Sequence, residues 1–183
     1  MNSLIEQINT ANLTGDFDTA LRLCDSALSE NPENASFLIG KGNALFGLKR
    51  CEEAIAVYQS AAKADETDAL PWANLAGVYY EQRKTDDGLA ACAEALKRDP
   101  ENVNALIHRG NLQMQSNDFD AALASYETAE RNAPADALVL FNKANALAEL
   151  NRLDEAEAVL NDLIRKNPND EDVLYALASV LEK

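Results

Sequence analysis

"GDFDTALRLCDSALSENPENA", Gly15 to Ala35, returns as "NDFDAALASYETAERNAPADA", Asn117 to Ala137, 102 residues further along with the residue types in the same order. That interval holds three units of 34, and the prolines mark them. Pro32, Pro100, Pro134 and Pro168 share one position of a 34-residue register, with Glu66 at the remaining occurrence. Counted from Met1, the chain divides without insertion or deletion into repeats 1–34, 35–68, 69–102, 103–136 and 137–170, followed by 171–183.

Each repeat carries two helical patterns. Apolar or small residues fall at register positions 4, 8 and 11, as in Leu38, Gly42 and Leu45, in Trp72, Ala76 and Tyr79, and in Leu140, Ala144 and Leu147. A second set falls at positions 17, 20, 24 and 27, as in Phe119, Ala122, Tyr126 and Ala129, which is one face of a helix of 3.6-residue period. Small residues at 8, 20 and 27 let helices approach closely, and bulky residues at 4, 17 and 24 fill the space between them. Proline at position 32 cannot continue the second helix and disfavours helical geometry just before it. A lone hairpin leaves one apolar face in water; stacking buries that face, which is the physical reason for copying the unit.

The third repeat comes closest to the order W-x2-L-G-x2-Y, A-x3-F, A, P, with Trp72, Leu75, Ala76, Tyr79, Gly88, Cys92, Ala95 and Pro100 at those places. The chain therefore resembles the tetratricopeptide repeat family, and it does so over its whole length. The resemblance implies an all-α, right-handed superhelical solenoid of helix-turn-helix hairpins, five full repeats plus one C-terminal helix, in a single domain spanning 1–183. Residues 171–183 match a first helix alone (Leu174, Leu177, Ala178, Leu181), so they either cap the stack or mark where a longer array is cut. Ile8 and Leu163 replace small residues in the end repeats, where crowding is expected to matter less. Gln113 stands at an apolar position, with Leu112 expected to take over its packing.

Composition narrows the function classes. With 183 residues, 47% of them hydrophobic, the chain has enough apolar content to fold. It has no apolar run of membrane-spanning length and no secretory leader, so a soluble, cytoplasmic protein without membrane insertion is expected. A formal net charge of −15 repels phosphate backbones, which speaks against a nucleic-acid partner. Cys24, Cys51 and Cys92 form no C-x-x-C pair and fall on core positions, and His108 is the only histidine, so neither a disulfide framework nor a metal site is expected. No P-loop, no G-x-G-x-x-G and no nucleophile with a base is present, which points away from an enzyme and from any cofactor. Position 18 is acidic in every repeat (Asp18, Glu52, Asp86, Asp120, Asp154), where a carboxylate is expected to accept free N–H groups at the start of the second helix and to meet its positive dipole end.

The family resemblance implies that positions 2, 5, 6, 9, 12 and 13 of the first helices face a concave surface. The candidate groove residues there are Ile39, Asn43, Phe46, Asn74, Tyr80, Ile107, His108, Asn111, Met114, Phe141, Asn142, Asn145 and Tyr175. An asparagine amide offers both a donor and an acceptor, so a row of them suits the backbone of an extended peptide, while the Ile, Phe and Tyr residues bury the partner's apolar side chains. The chain is thus expected to be a non-enzymatic scaffold binding an uncharged or mildly basic protein or peptide segment. The clamp for chaperone C-terminal carboxylates needs cations; Ile39, Asn43, Asn74, Asn104 and His108 supply its asparagines and none of its lysines or arginine. The acidic tails of the Hsp70 and Hsp90 chaperones are therefore not expected to bind. The alternatives are a self-assembling module, a homo-oligomer joined through the C-terminal helix, or the targeting domain of a larger protein.

Overall fold

The structure, a computed structural model, describes residues 2–183, with side chains from residue 3 onward. Among the described residues the chain is wholly helical, with no strand. The first helices of successive repeats are α1 (Asn2–Leu13), α3 (Ala35–Gly47), α5 (Leu70–Glu81), α7 (Val103–Gln115) and α9 (Ala137–Glu149). The second helices are α2 (Phe17–Glu30), α4 (Cys51–Ala64), α6 (Thr85–Arg98), α8 (Phe119–Asn132) and α10 (Leu153–Lys166), and α11 (Glu171–Leu181) follows them. The helices form two compact units, Met1–Pro100 and Glu101–Lys183.

Helix starts follow from short polar side chains. Asn34, Asn102, Asp136 and Asp170 cap α3, α7, α9 and α11 by accepting backbone N–H groups inside the first turn. Asp16 and Asp118 do the same for α2 and α8. This corrects the expected role of the acids at position 18. They lie in the first turn, where the dipole favours them, but in α2 and α8 the N–H groups are taken two residues earlier. Arg50 and Arg152 precede α4 and α10 without a side-chain cap, and each instead forms a two-pronged pair with the acid three residues on, Glu53 or Glu155, at 2.7 Å. That bonding holds both carboxyls below the usual carboxylate range.

Every turn inside a hairpin uses the left-handed region at register position 15: Gly15 (φ 78°), Lys49 (60°), Arg83 (56°), Asn117 (59°) and Asn151 (60°). Glycine accepts this conformation freely and asparagine with little penalty, whereas Lys49 and Arg83 hold it against the clash of a Cβ with the backbone.

Packing inside the hairpins is settled by paired sizes. A Cβ on Gly42 would stand 2.7 Å from Cδ1 of Tyr58, and one on Gly110 would stand 2.6 Å from Cζ of Tyr126, so each tyrosine lies directly on a glycine. Repeats three and five place Ala76 with Cys92, and Ala144 with Leu160, at the same two positions. Where position 8 gains a methyl group, position 24 carries a side chain smaller than tyrosine, so the two sizes are exchanged against each other.

The same logic revises the reading of Ile8. It is 2% exposed, in a cluster with Cys24, Ala27 and Phe37, and a Cβ on Gly40 would stand 2.6 Å from its Cγ2. Space for Ile8 comes from a compensating glycine and not from slack at the end of the array. Leu163 is likewise buried, in the cluster that joins Leu140, Leu147, Leu160, Val173 and Val180. Leu112 is fully buried as expected, and Gln113 is absorbed by a polar knot: Ser125, almost inaccessible, bonds Gln113 and receives Arg109 Nε at 2.9 Å.

Candidate functional site

In the first unit the amides that the register assigns to the groove, on α3 and α5, are engaged with other side chains of the protein. Asn43 Oδ1 accepts the Tyr58 hydroxyl at 2.6 Å and the Asn74 Nδ2 at 3.1 Å. Ile39 is buried with Leu38 and Ala61, so it belongs to the core and not to an open wall. Phe46 and Tyr80 are half-buried, and Lys49 Nζ stands 5.7 Å from the Phe46 ring centre.

In the second unit the Tyr126 hydroxyl donates to Asn111 Oδ1 at 2.7 Å. Ile107 is 5% exposed and packs inward, as Ile39 does. His108 is largely enclosed, its Nδ1 has no partner among the described residues, and burial pushes its pKa below the ordinary imidazole value. Asn142 Nδ2 is also sealed from solvent without a partner there.

The remaining four candidates converge. Met114, Phe141, Asn145 and Tyr175 line one cleft of about 510 Å³, whose wall is completed by Asn117, Phe119, Ala148, Glu149, Asp172, Ala176, Ser179, Val180 and Lys183. Their backbone placement explains the meeting: Phe141 and Asn145 lie one turn apart on α9, and Tyr175 and Ser179 repeat that spacing on α11. Asn145 has Leu160 at the position where repeats two and four have tyrosine, so no such hydroxyl takes its amide oxygen.

Tyr175 is 79% exposed, so its ring is available to a partner. Glu149 is paired with Lys183 Nζ at 3.3 Å. The cleft is therefore an apolar and aromatic concavity with two amides, Asn117 and Asn145, and a charged rim, a composition suited to holding a side chain and bonding a backbone.

Asp172, Ala176, Ser179, Glu149 and Lys183 were legible from the register, since they stand at positions 2, 6, 9 and 13 of their units. Asn117 and Phe119, contributed by the α7–α8 turn and the start of α8, carry no such signal. The thiols stay outside the site. Cys24 is fully buried, and burial pushes its thiol up to about 11, which leaves negligible thiolate at neutral pH. Cys92 is buried too, whereas Cys51, expected in the core, is only half-buried at the first position of α4. Among the described residues no helix is long and apolar enough to cross a membrane.

Comparison with known proteins follows the repeat. Two family models described as tetratricopeptide repeat match, one over residues 74–115 and 107–171 and the other over 13–78. No match appears among curated proteins. Among solved structures, TTC0263, a thermophilic tetratricopeptide-repeat protein of Thermus thermophilus, is similar at 20% identity with a TM-score of 0.84, covering 100% of this chain and 99% of its own. YrrB, a protein of the same repeat class with an unusual peptide-binding site, is 20% identical with a TM-score of 0.67, covering 94% of this chain and 89% of its own. A chain of the Cut9–Hcn1 hetero-tetramer of the APC/C is 17% identical with a TM-score of 0.86; 97% of this chain matches 35% of that one. At these identities the structures share a fold, and the family models, which together run through most of the repeats, add the sequence signature. The chain belongs to the tetratricopeptide repeat family.

Proposed function

We propose that this protein is a non-enzymatic interaction scaffold that holds a peptide or helical segment of a partner protein against the inner faces of its first helices. The observation that carries the reading is the cleft where Met114, Phe141, Asn145 and Tyr175 meet. The peptide-binding site named for YrrB, a protein of the same fold, supports it.

The structure changes how the grip works. Asn43 spends both lone pairs of its amide oxygen on Tyr58 and Asn74, and Asn111 spends one on Tyr126, so their N–H groups are the main donors left for a partner's carbonyls. Asn145 is the amide best placed to give both halves. One such bond contributes about 0.5–1.5 kcal/mol net, so burial of partner side chains against Tyr175, Phe141 and Met114 supplies most of the affinity.

The test uses a peptide selected from a displayed library against the wild-type chain, with affinity read by calorimetry. Tyr175→Ala and Asn145→Ala are expected to weaken binding several-fold while leaving the helical circular dichroism unchanged. Undiminished affinity in both variants would remove the cleft from the account.

One observation favours a second reading, self-association through α11. Leu174, Ala178 and Leu181 are exposed, while their counterparts Leu140, Ala144 and Leu147 are buried. Light scattering that finds one monomeric mass across a wide concentration range disposes of it.

A further inference from the structure

Behind the cleft just described, the second unit carries another. It measures about 290 Å³ and is lined by Ala137, Leu138, Phe141, Leu163, Lys166, Asn167, Asp170, Asp172 and Val173. Phe141 and Asp172 belong to both linings, so they form the divide between two concavities. Each concavity is apolar at heart. The larger offers Met114, Phe119 and Tyr175, and the smaller offers Leu163, Val173 and Leu138, which is 55% exposed.

Charge on the divide is one-sided. Glu149 is matched by Lys183, and Asp170 accepts the Val173 N–H as the cap of α11. Lys166 is the one cation on the smaller cleft, against both Asp170 and Asp172. The Asp172 carboxylate has neither a hydrogen bond nor an ion pair among the described residues. It stands on a chain of net charge −15, whose field draws cations in from solution.

From this juxtaposition we infer that the paired clefts take a segment in which a lysine or arginine lies between two large apolar side chains, one for each concavity, with Asp172 as the counter-charge. The inference rests on the peptide-binding reading and adds the class of ligand to it. The apolar side chains are buried on either side of Phe141. The cation meets a carboxylate beside an aromatic ring, where a charge-assisted contact and the face of the ring both favour it. An acidic segment meets the same carboxylate and the same overall field with the wrong sign, so the site discriminates by repulsion as well as by attraction.

The experiment selects from a random 12-residue phage-displayed library on the immobilised full chain and then measures one synthetic peptide from the enriched pool by fluorescence anisotropy. Enriched sequences are expected to carry Lys or Arg flanked within a few residues by Leu, Phe, Tyr or Trp. Asp172→Asn, which keeps the shape and removes the charge, is expected to weaken binding by about two- to fivefold and to flatten its dependence on salt. Replacing the peptide's basic residue by norleucine should cost the wild-type chain a similar factor and the Asp172→Asn chain almost nothing.

If Tyr175→Ala abolishes binding while Asp172→Asn leaves it untouched, the charge assignment is wrong and the peptide-binding reading stands. Enrichment of acidic or uncharged sequences overturns the ligand class in the same way. If neither substitution changes the affinity, or no sequence is enriched, the inference and the reading beneath it fall together.

Discussion

The hydroxyl of Tyr126 decides what Asn111 is free to do, and the hydroxyl of Tyr58 decides the same for Asn43. Read as a column of letters, these asparagines look equivalent to Asn145, but two of the three have an oxygen already engaged, Asn43 with two donors and Asn111 with one. His108 belongs to the same scale. It occupies a position where Asn74 and Asn142 stand in neighbouring repeats, and its enclosure favours the neutral ring. Its folded pKa lies below the unfolded value of about 6.5, so below that pH the unfolded chain binds more protons than the folded one. The His108 contribution is therefore fully present above the unfolded pKa and is lost as pH falls toward the folded one. Urea unfolding at pH 7.0, 6.0 and 5.5 should show wild-type stability declining through this range. His108→Asn should flatten part of that decline, and parallel curves for the two chains would show that the ring does not titrate differently on unfolding.

Within a hairpin the governing quantity is the combined size at positions 8 and 24. Gly110 and Tyr126 form one solution, and Ala144 with Leu160 another. Gly110→Ala sets a methyl group against a rigid ring, and an overpacked core of this kind loses about 1–3 kcal/mol. Tyr126→Leu alone removes ring atoms and orphans Asn111 Oδ1, which is destabilising by a similar amount. Combined, they recreate the pairing of repeat five, so the double variant is expected to lose less than the sum of the two single losses. Denaturant titrations of all four chains give the coupling energy directly, and strict additivity would show that the two positions do not share a volume. This interdependence was half legible. The sequence marked both positions as packing sites, but the exchange of size between them needs the distance from a virtual Cβ to a ring.

Across the molecule 31 acidic residues face 16 basic ones, and the ion pairs that form involve partly or largely exposed side chains. Such pairs contribute little each, whereas unbalanced repulsion is long-ranged and screened by salt. Raising sodium chloride from about 20 to 200 mM shortens the Debye length roughly threefold, and the melting temperature is expected to rise by a few degrees. A fall in melting temperature over that range would mean that the surface pairs outweigh the repulsion. The same excess of acid favours the basic segment we propose for the divide at Asp172.

Repetition of a single 34-residue pattern was enough to determine the helices and their pairing into hairpins, because both depend on local periodicity and on which face is apolar, whereas the positions assigned to the groove came from the family resemblance. The prolines and the small residues at fixed offsets carry that information in one dimension. Tertiary structure alone decided which inward residues are available. Ile39 and Ile107 sink into the core, Asn43 and Asn111 turn their oxygens to tyrosines some fifteen residues away, and Asn117 and Phe119 arrive from a neighbouring turn to close the cleft. Availability is a matter of distance between side chains on different helices, and a register assigns a direction to each residue without assigning what it meets there.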